Sequence, residues 1–168
     1  MEIDKRKIND LVKENTSVIH GHYSIDKFSG MFSEAKRITF IRNPVYRIIS
    51  HFNHSRFNNT NFFEEKKISI IDFARIERCR NMYKKMFKIK ETDFYFIGCI
   101  DNFLEDIHVI EEIINKPLLV GFNNPDKKYM NVSSDIIREI IKLNMDDVLW
   151  YIEYSKKRGI EDSLSKYL

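Results

Sequence analysis

The feature that most constrains this chain is a short apolar run that stops abruptly: Arg37-Ile38-Thr39-Phe40-Ile41, then Arg42-Asn43-Pro44. β-branched and aromatic residues suit a pleated, largely buried strand. The residue before a proline is steered away from helical backbone. Pro44 itself suits the first turn of a helix, where its missing N–H has no intrahelical partner to lose. The run therefore reads as strand, tight turn, helix, with the helix continuing through Ile48, Ile49 and Phe52.

Other segments repeat this alternation. Residues 93–98 (Asp-Phe-Tyr-Phe-Ile-Gly) read as a second strand, and Ser17-Val18-Ile19-His20 as a short third one stopped by Gly21. Helical spacing of apolar residues marks residues 4–14 and 101–115, the latter with Asp101 as its expected cap. A brief helix is expected near residues 25–32. Residues 68–88 read as two helices or one broken one, 117–122 as an extended piece and 123–132 as a polar loop. Helices capped at Ser133 or Ser134 and spanning roughly 146–158 close the chain. Short strands alternating with helices predict an α/β domain with a mostly parallel sheet. Ligands of such sheets sit at the carboxyl ends of the strands, which directs attention to the residues just after Ile19 and Ile41.

Composition narrows the function classes. At 168 residues the chain fits one domain with one sizeable core, and its sparse punctuation of 5 Gly and 3 Pro shows no linker, so residues 1–168 read as a single unit. Apolar residues at 43% and charged residues at 32% describe a globular protein. A formal charge of +3 is too mild to argue for nucleic acid, yet Lys66-Lys67, Lys84-Lys85 and Lys127-Lys128 could each rim an anion site. Cys79 and Cys99 have neither zinc-finger spacing nor a disulfide framework around them, and suit a reducing compartment. The charged N-terminal segment lacks the apolar core of a signal peptide, and no stretch has the length of a membrane span. The expectation is a soluble cytoplasmic protein without a metal.

The chemistry concentrates at the turn after Ile41. The start of a helix offers unpaired N–H groups and the positive end of the helix dipole, both favourable to an anion, and Arg42 adds a fork of donors suited to phosphate. Ser50 lies about two helical turns further on. Upstream, His20-Gly21-His22-Tyr23 follows the expected strand end, where an imidazole is well placed as a general base.

The run from Ile38 to Phe52, with Arg42-Asn43-Pro44, Arg47 and Ser50 in register, resembles the 3′-phosphate-binding segment of sulfotransferases that use 3′-phosphoadenosine 5′-phosphosulfate (PAPS). The family more commonly has Asp where Asn43 stands. The His20-Gly21-His22 segment is similar to one in the heparan sulfate and uronyl 2-O-sulfotransferases, in which the second His deprotonates the acceptor hydroxyl. Tyr95 to Phe103, Lys128 to Ser133 and Asn144 to Tyr151 resemble later fold segments, so the resemblance covers about residues 17–158.

The resemblance implies a three-layer P-loop nucleotide-binding-like α/β domain. It implies that Arg42 and Ser50 hold the 3′-phosphate of PAPS or of the product PAP, with Lys128 (or Lys127) near the nucleotide. His22, with His20 as partner or alternative, would be the base in sulfuryl transfer to a hydroxyl, most readily of a carbohydrate. The family's Pro-Lys-Thr-Gly loop, which cradles the phosphosulfate, has no counterpart here. The expected domain therefore lacks its first strand and P-loop, which raises two alternatives: a catalytically inactive remnant that binds a 3′-phosphonucleotide or acidic glycan, or a ligand-free interaction domain.

Overall fold

The computed structural model describes residues 12, 16–21, 30–86, 93–121 and 132–168. The expected helices at 4–14 and 25–32, the loop at 123–132, and the candidate residues His22, Lys127 and Lys128 lie wholly or mostly outside them.

The class is α/β. Two strands, β1 (Ile38–Ile41) and β2 (Phe96–Cys99), pair in parallel with Ile38 opposite Phe96 and Ile41 opposite Cys99. Between them run α1 (Pro44–Asn58), α2 (Thr60–Glu65), α3 (Ile70–Arg75) and α4 (Met82–Met86). A 3-10 turn at Ile100–Asn102 leads from β2 into α5 (Phe103–Ile114), followed by α6 (Ser134–Leu143) and α7 (Met145–Lys157).

Local chemistry accounts for the boundaries. Asn43 caps α1 by accepting from the Val45 and Tyr46 N–H groups, with Pro44 in the first turn. Ser69 and Asp72 form a reciprocal capping box on α3. Ser133 caps α6 as its sequence predicts, and Gly159, in the left-handed region at φ 65°, follows the end of α7. Asp101 does not cap α5. It lies inside the 3-10 turn and turns its carboxylate toward α1 and α7 instead. Residues 16–20 join no strand, and Val18, Ile19 and His20 are exposed. The expected strand at Ser17–His20 is not formed.

The core lies where α1 meets α3, α6 and α7. Ile48, Ile49 and Phe52 of α1, Phe73 of α3, Ile140 and Ile141 of α6, and Val148 and Tyr151 of α7 are buried there. Phe52, Phe63 and Phe73 meet edge to face or tilted, with centroids 5.6 to 6.2 Å apart, which fills the space between three short helices.

Among the described residues the outer edge of β2 is met by side chains rather than by another strand. Ile97 C=O accepts from the Tyr154 hydroxyl (2.5 Å) and from Arg158 Nη1 (2.9 Å), while Cys99 N–H donates to Asp106 (2.5 Å). Asp106 is fully buried and pairs with Arg158 at 2.6 Å, so the buried charge has both an ion partner and a backbone donor. This brace ties α5 and α7 to the sheet. It also explains why a strand with one neighbour does not leave these two groups unpaired.

Candidate functional site

The parallel pairing brings two turns together at the carboxyl ends of the strands: Arg42-Asn43 after β1, and Ile100-Asp101 after β2. Arg42 is half-buried, and its backbone is held by Tyr83 at the start of α4. The Tyr83 hydroxyl accepts from Arg42 N–H at 2.8 Å and donates to Arg42 C=O at 2.8 Å. Tyr83 is buried, and its own N–H donates to the fully buried Asp147 carboxylate at 2.9 Å. Burial pushes the Tyr83 phenol up to about 12, ahead of the opposing effects of its Arg42 hydrogen bond and the Arg47 charge.

Asn43 is buried and fully used. Its Oδ1 accepts the Val45 and Tyr46 N–H groups at 3.0 and 3.2 Å, its Nδ2 donates to Ser163 Oγ at 3.2 Å, and its backbone N–H donates to Asp101 Oδ2 at 3.3 Å. The same Asp101 oxygen accepts from the Tyr151 hydroxyl at 2.8 Å and from Cys99 Sγ at 3.5 Å. Burial, then the Asp101 carboxylate, drives the Tyr151 phenol far above its ordinary value. Burial likewise raises the Cys99 thiol. Neither group is a nucleophile or base near neutral pH.

These contacts correct one expectation. The helix start was expected to offer free N–H groups to an anion. Pro44 has none, Asn43 takes those of Val45 and Tyr46, and Arg47 N–H donates to Asn43 C=O at 2.9 Å. With the Asp101 carboxylate also against the cap, the helix axis is not an anion site. An anion at this turn is left with side chains, on the flank of α1 away from Asp101.

Arg42 and Ser50 are the side chains that the sequence puts forward for it. Ser50 is half-buried in the second turn of α1, about 10 Å along the axis from the cap at 1.5 Å per residue. The two residues can share a ligand only if it extends along the helix. His20 is exposed on the irregular segment 16–20. A cavity of about 170 Å³ lies elsewhere, lined by Glu77, Arg80, Asn81 and Lys85. Among the described residues no cluster of His, Cys, Asp and Glu has the arrangement of a metal site, and no helix is long and apolar enough to cross a membrane.

Sequence reasoning missed Tyr83 and underrated Asp101. Asp101 carried a usable signal, since it follows a strand of a parallel sheet as Arg42 does. Tyr83 carried none, standing 41 positions from the backbone it clamps.

Compared with family models, with curated proteins and with solved structures, the chain matches none.

Proposed function

We propose that the chain is sulfotransferase-like: that it binds the 3′-phosphate of PAPS or PAP through Arg42 and Ser50, and transfers a sulfuryl group to a hydroxyl of a carbohydrate acceptor within a P-loop-like α/β fold. The observation that carries the reading is the placing of Arg42 at the carboxyl end of a parallel strand, with its backbone fixed on both sides by Tyr83. A guanidinium whose base is held rigidly loses less freedom on binding than one on a mobile loop, and its planar fork matches two phosphate oxygens.

In the transfer step the acceptor oxygen attacks sulfur in line, the bond from sulfur to the 5′-phosphate oxygen breaks, and PAP departs. By the resemblance, His22 would take the acceptor proton, with His20 as partner or alternative, and Lys128 would serve the nucleotide. Those assignments follow from the sequence resemblance.

Calorimetric titration with PAP tests the binding part. The expected result is saturable binding that Arg42→Ala abolishes and His22→Ala preserves. No heat at millimolar PAP rejects the nucleotide reading. A transfer assay with labelled PAPS and oligosaccharide acceptors tests turnover separately: binding without transfer leaves the nucleotide-binding remnant and removes the enzyme.

A further inference from the structure

The peptide unit that joins Arg42 to Asn43 is held at both of its polar ends. Its C=O accepts from the Tyr83 hydroxyl at 2.8 Å, and its N–H donates to Asp101 Oδ2 at 3.3 Å. A peptide plane turns only about the two soft dihedrals beside it. Gripped at one end, it can still swing on the remaining freedom. Gripped at both, it cannot turn without breaking hydrogen bonds on opposite sides, so the Arg42 side chain keeps one direction of departure from β1.

Both grips trace back to α7. Tyr83 lies in α4, and Asp147 of α7 fastens the backbone there: its two carboxylate oxygens accept from the Tyr83 and Lys84 N–H groups at 2.9 Å each. Asp101 lies in the 3-10 turn after β2. The oxygen that accepts from Asn43 also accepts from the Tyr151 hydroxyl of α7 at 2.8 Å. Asp147 and Tyr151 are four residues apart in that helix, hence on one face of it, and both are buried. A buried polar group needs a partner, and any nearby partner would satisfy that need. These two instead direct their hydrogen bonds into two arms that reach the same peptide from opposite sides.

We propose that Asp147 and Tyr151 are positioning residues for Arg42: α7 aims the guanidinium at its phosphate, through Tyr83 on one side and Asp101 on the other. The inference rests on the reading that Arg42 holds a phosphate. A side chain whose base is already oriented loses less freedom on binding, and a guanidinium fork matches two phosphate oxygens only from the right direction. Loosening either arm therefore lowers affinity while every group that touches the ligand stays in place. The arms also act on one plane, so their losses are coupled: once one grip is gone, removing the other costs less than it does alone.

The test combines calorimetric titration with PAP and amide hydrogen exchange on the full chain. Tyr151→Phe should weaken PAP binding about tenfold, the worth of one net hydrogen bond, and should speed exchange of the Asn43 amide. Asp101→Ala should do the same, whereas Asp101→Asn, which keeps an acceptor oxygen, should restore most of the affinity. Asp101 is exposed, so this pair keeps the fold more safely than a change at the buried Asp147. Val148→Ala is the control. It removes fully buried apolar contacts from the same turn of α7, so it should lower stability and leave PAP affinity at the parent value. If Tyr151→Phe binds PAP as tightly as the parent, or if Val148→Ala weakens binding as much, α7 does not aim Arg42. A parent that binds no PAP overturns the nucleotide reading instead. The exchange rates then decide the positioning alone, and an Asn43 amide that exchanges no faster in Tyr151→Phe than in Val148→Ala sinks it.

Discussion

The hydroxyl of Tyr83 closes on both backbone groups of Arg42, accepting its N–H and donating to its C=O at 2.8 Å each. One side-chain atom thereby satisfies the two groups that a further strand beside β1 would otherwise have to pair. It also fixes the direction in which the Arg42 side chain leaves the sheet. The helix α4, which carries Tyr83, is thus the support of the candidate site as well as part of the link between α3 and β2.

Tyr83→Phe removes this clamp with little change of shape. A partly buried donor and acceptor then lose their partners together, at about 2 kcal/mol for the pair. Urea denaturation should show that loss, and PAP affinity should fall with it because the Arg42 backbone is no longer fixed. A variant as stable as the parent would refute the clamp.

The same contact has a pH signature. The Tyr83 phenol is raised from 10.0 to about 12 by burial, so the folded protein holds this proton more tightly than the unfolded chain does. A raised pKa contributes stability that is whole below pH 10.0 and is lost as pH climbs through about 12. The size follows from linkage, about 2 to 3 kcal/mol over that interval for this group. Tyr151 and Tyr154 are also raised, chiefly by burial, and act in the same direction. Denaturation at stepped pH should show a steep alkaline fall that is shallower in Tyr83→Phe. A parallel fall in both proteins would mean that Tyr83 ionises freely.

How far the sequence foretold this can be read from particular residues. β1 was legible because β-branched and aromatic residues end at Asn43-Pro44, and α1 because Pro44 permits a helix only from its first turn. Ser133 and Gly159 marked α6 and the end of α7 by local capping chemistry. What escaped is non-local. Asp101 has the composition of a cap, yet it serves Asn43 and Tyr151, 58 and 50 positions away. The run Ser17-Val18-Ile19-His20 has strand composition yet does not form a strand. At the candidate site, Arg42 and Ser50 stood out by spacing. The fate of the helix-start N–H groups depended on where the Asn43 side chain points, and spacing carries no information on that.

Gly98 illustrates a close approach that forbids a side chain. A Cβ there would sit 2.5 Å from Cε1 of Phe40 on the neighbouring strand, whose ring packs on Phe103 of α5 at 5.6 Å. Gly98→Ala should therefore cost about 1 to 3 kcal/mol, as overpacking does in a filled core. The double variant with Phe40→Leu, which removes the ring, should recover most of that loss. Additive losses in the double-mutant cycle would show that the ring is not the obstacle.

Asn43 stands where the resembled family more often carries Asp, and its contacts predict what that exchange would do. As a cap, Asp is as good as Asn and gains slightly from the helix dipole, by about 0.5 kcal/mol. Against this, the Nδ2 donor to Ser163 disappears, and a second carboxylate enters a buried position whose backbone N–H already donates to Asp101. Two like charges at close range inside the protein outweigh the dipole gain, so Asn43→Asp should lose about 2 kcal/mol at neutral pH. The sign with pH follows from repulsion: the introduced carboxyl is raised in the folded state, so the penalty is present above its unfolded value and shrinks as pH falls toward that value. Denaturation at pH near 7 and near 4 should show the variant approaching the parent in acid. A variant equal to or more stable than the parent at neutral pH would mean that Asp101 does not press on the cap, and that the residue at this turn is free to be either.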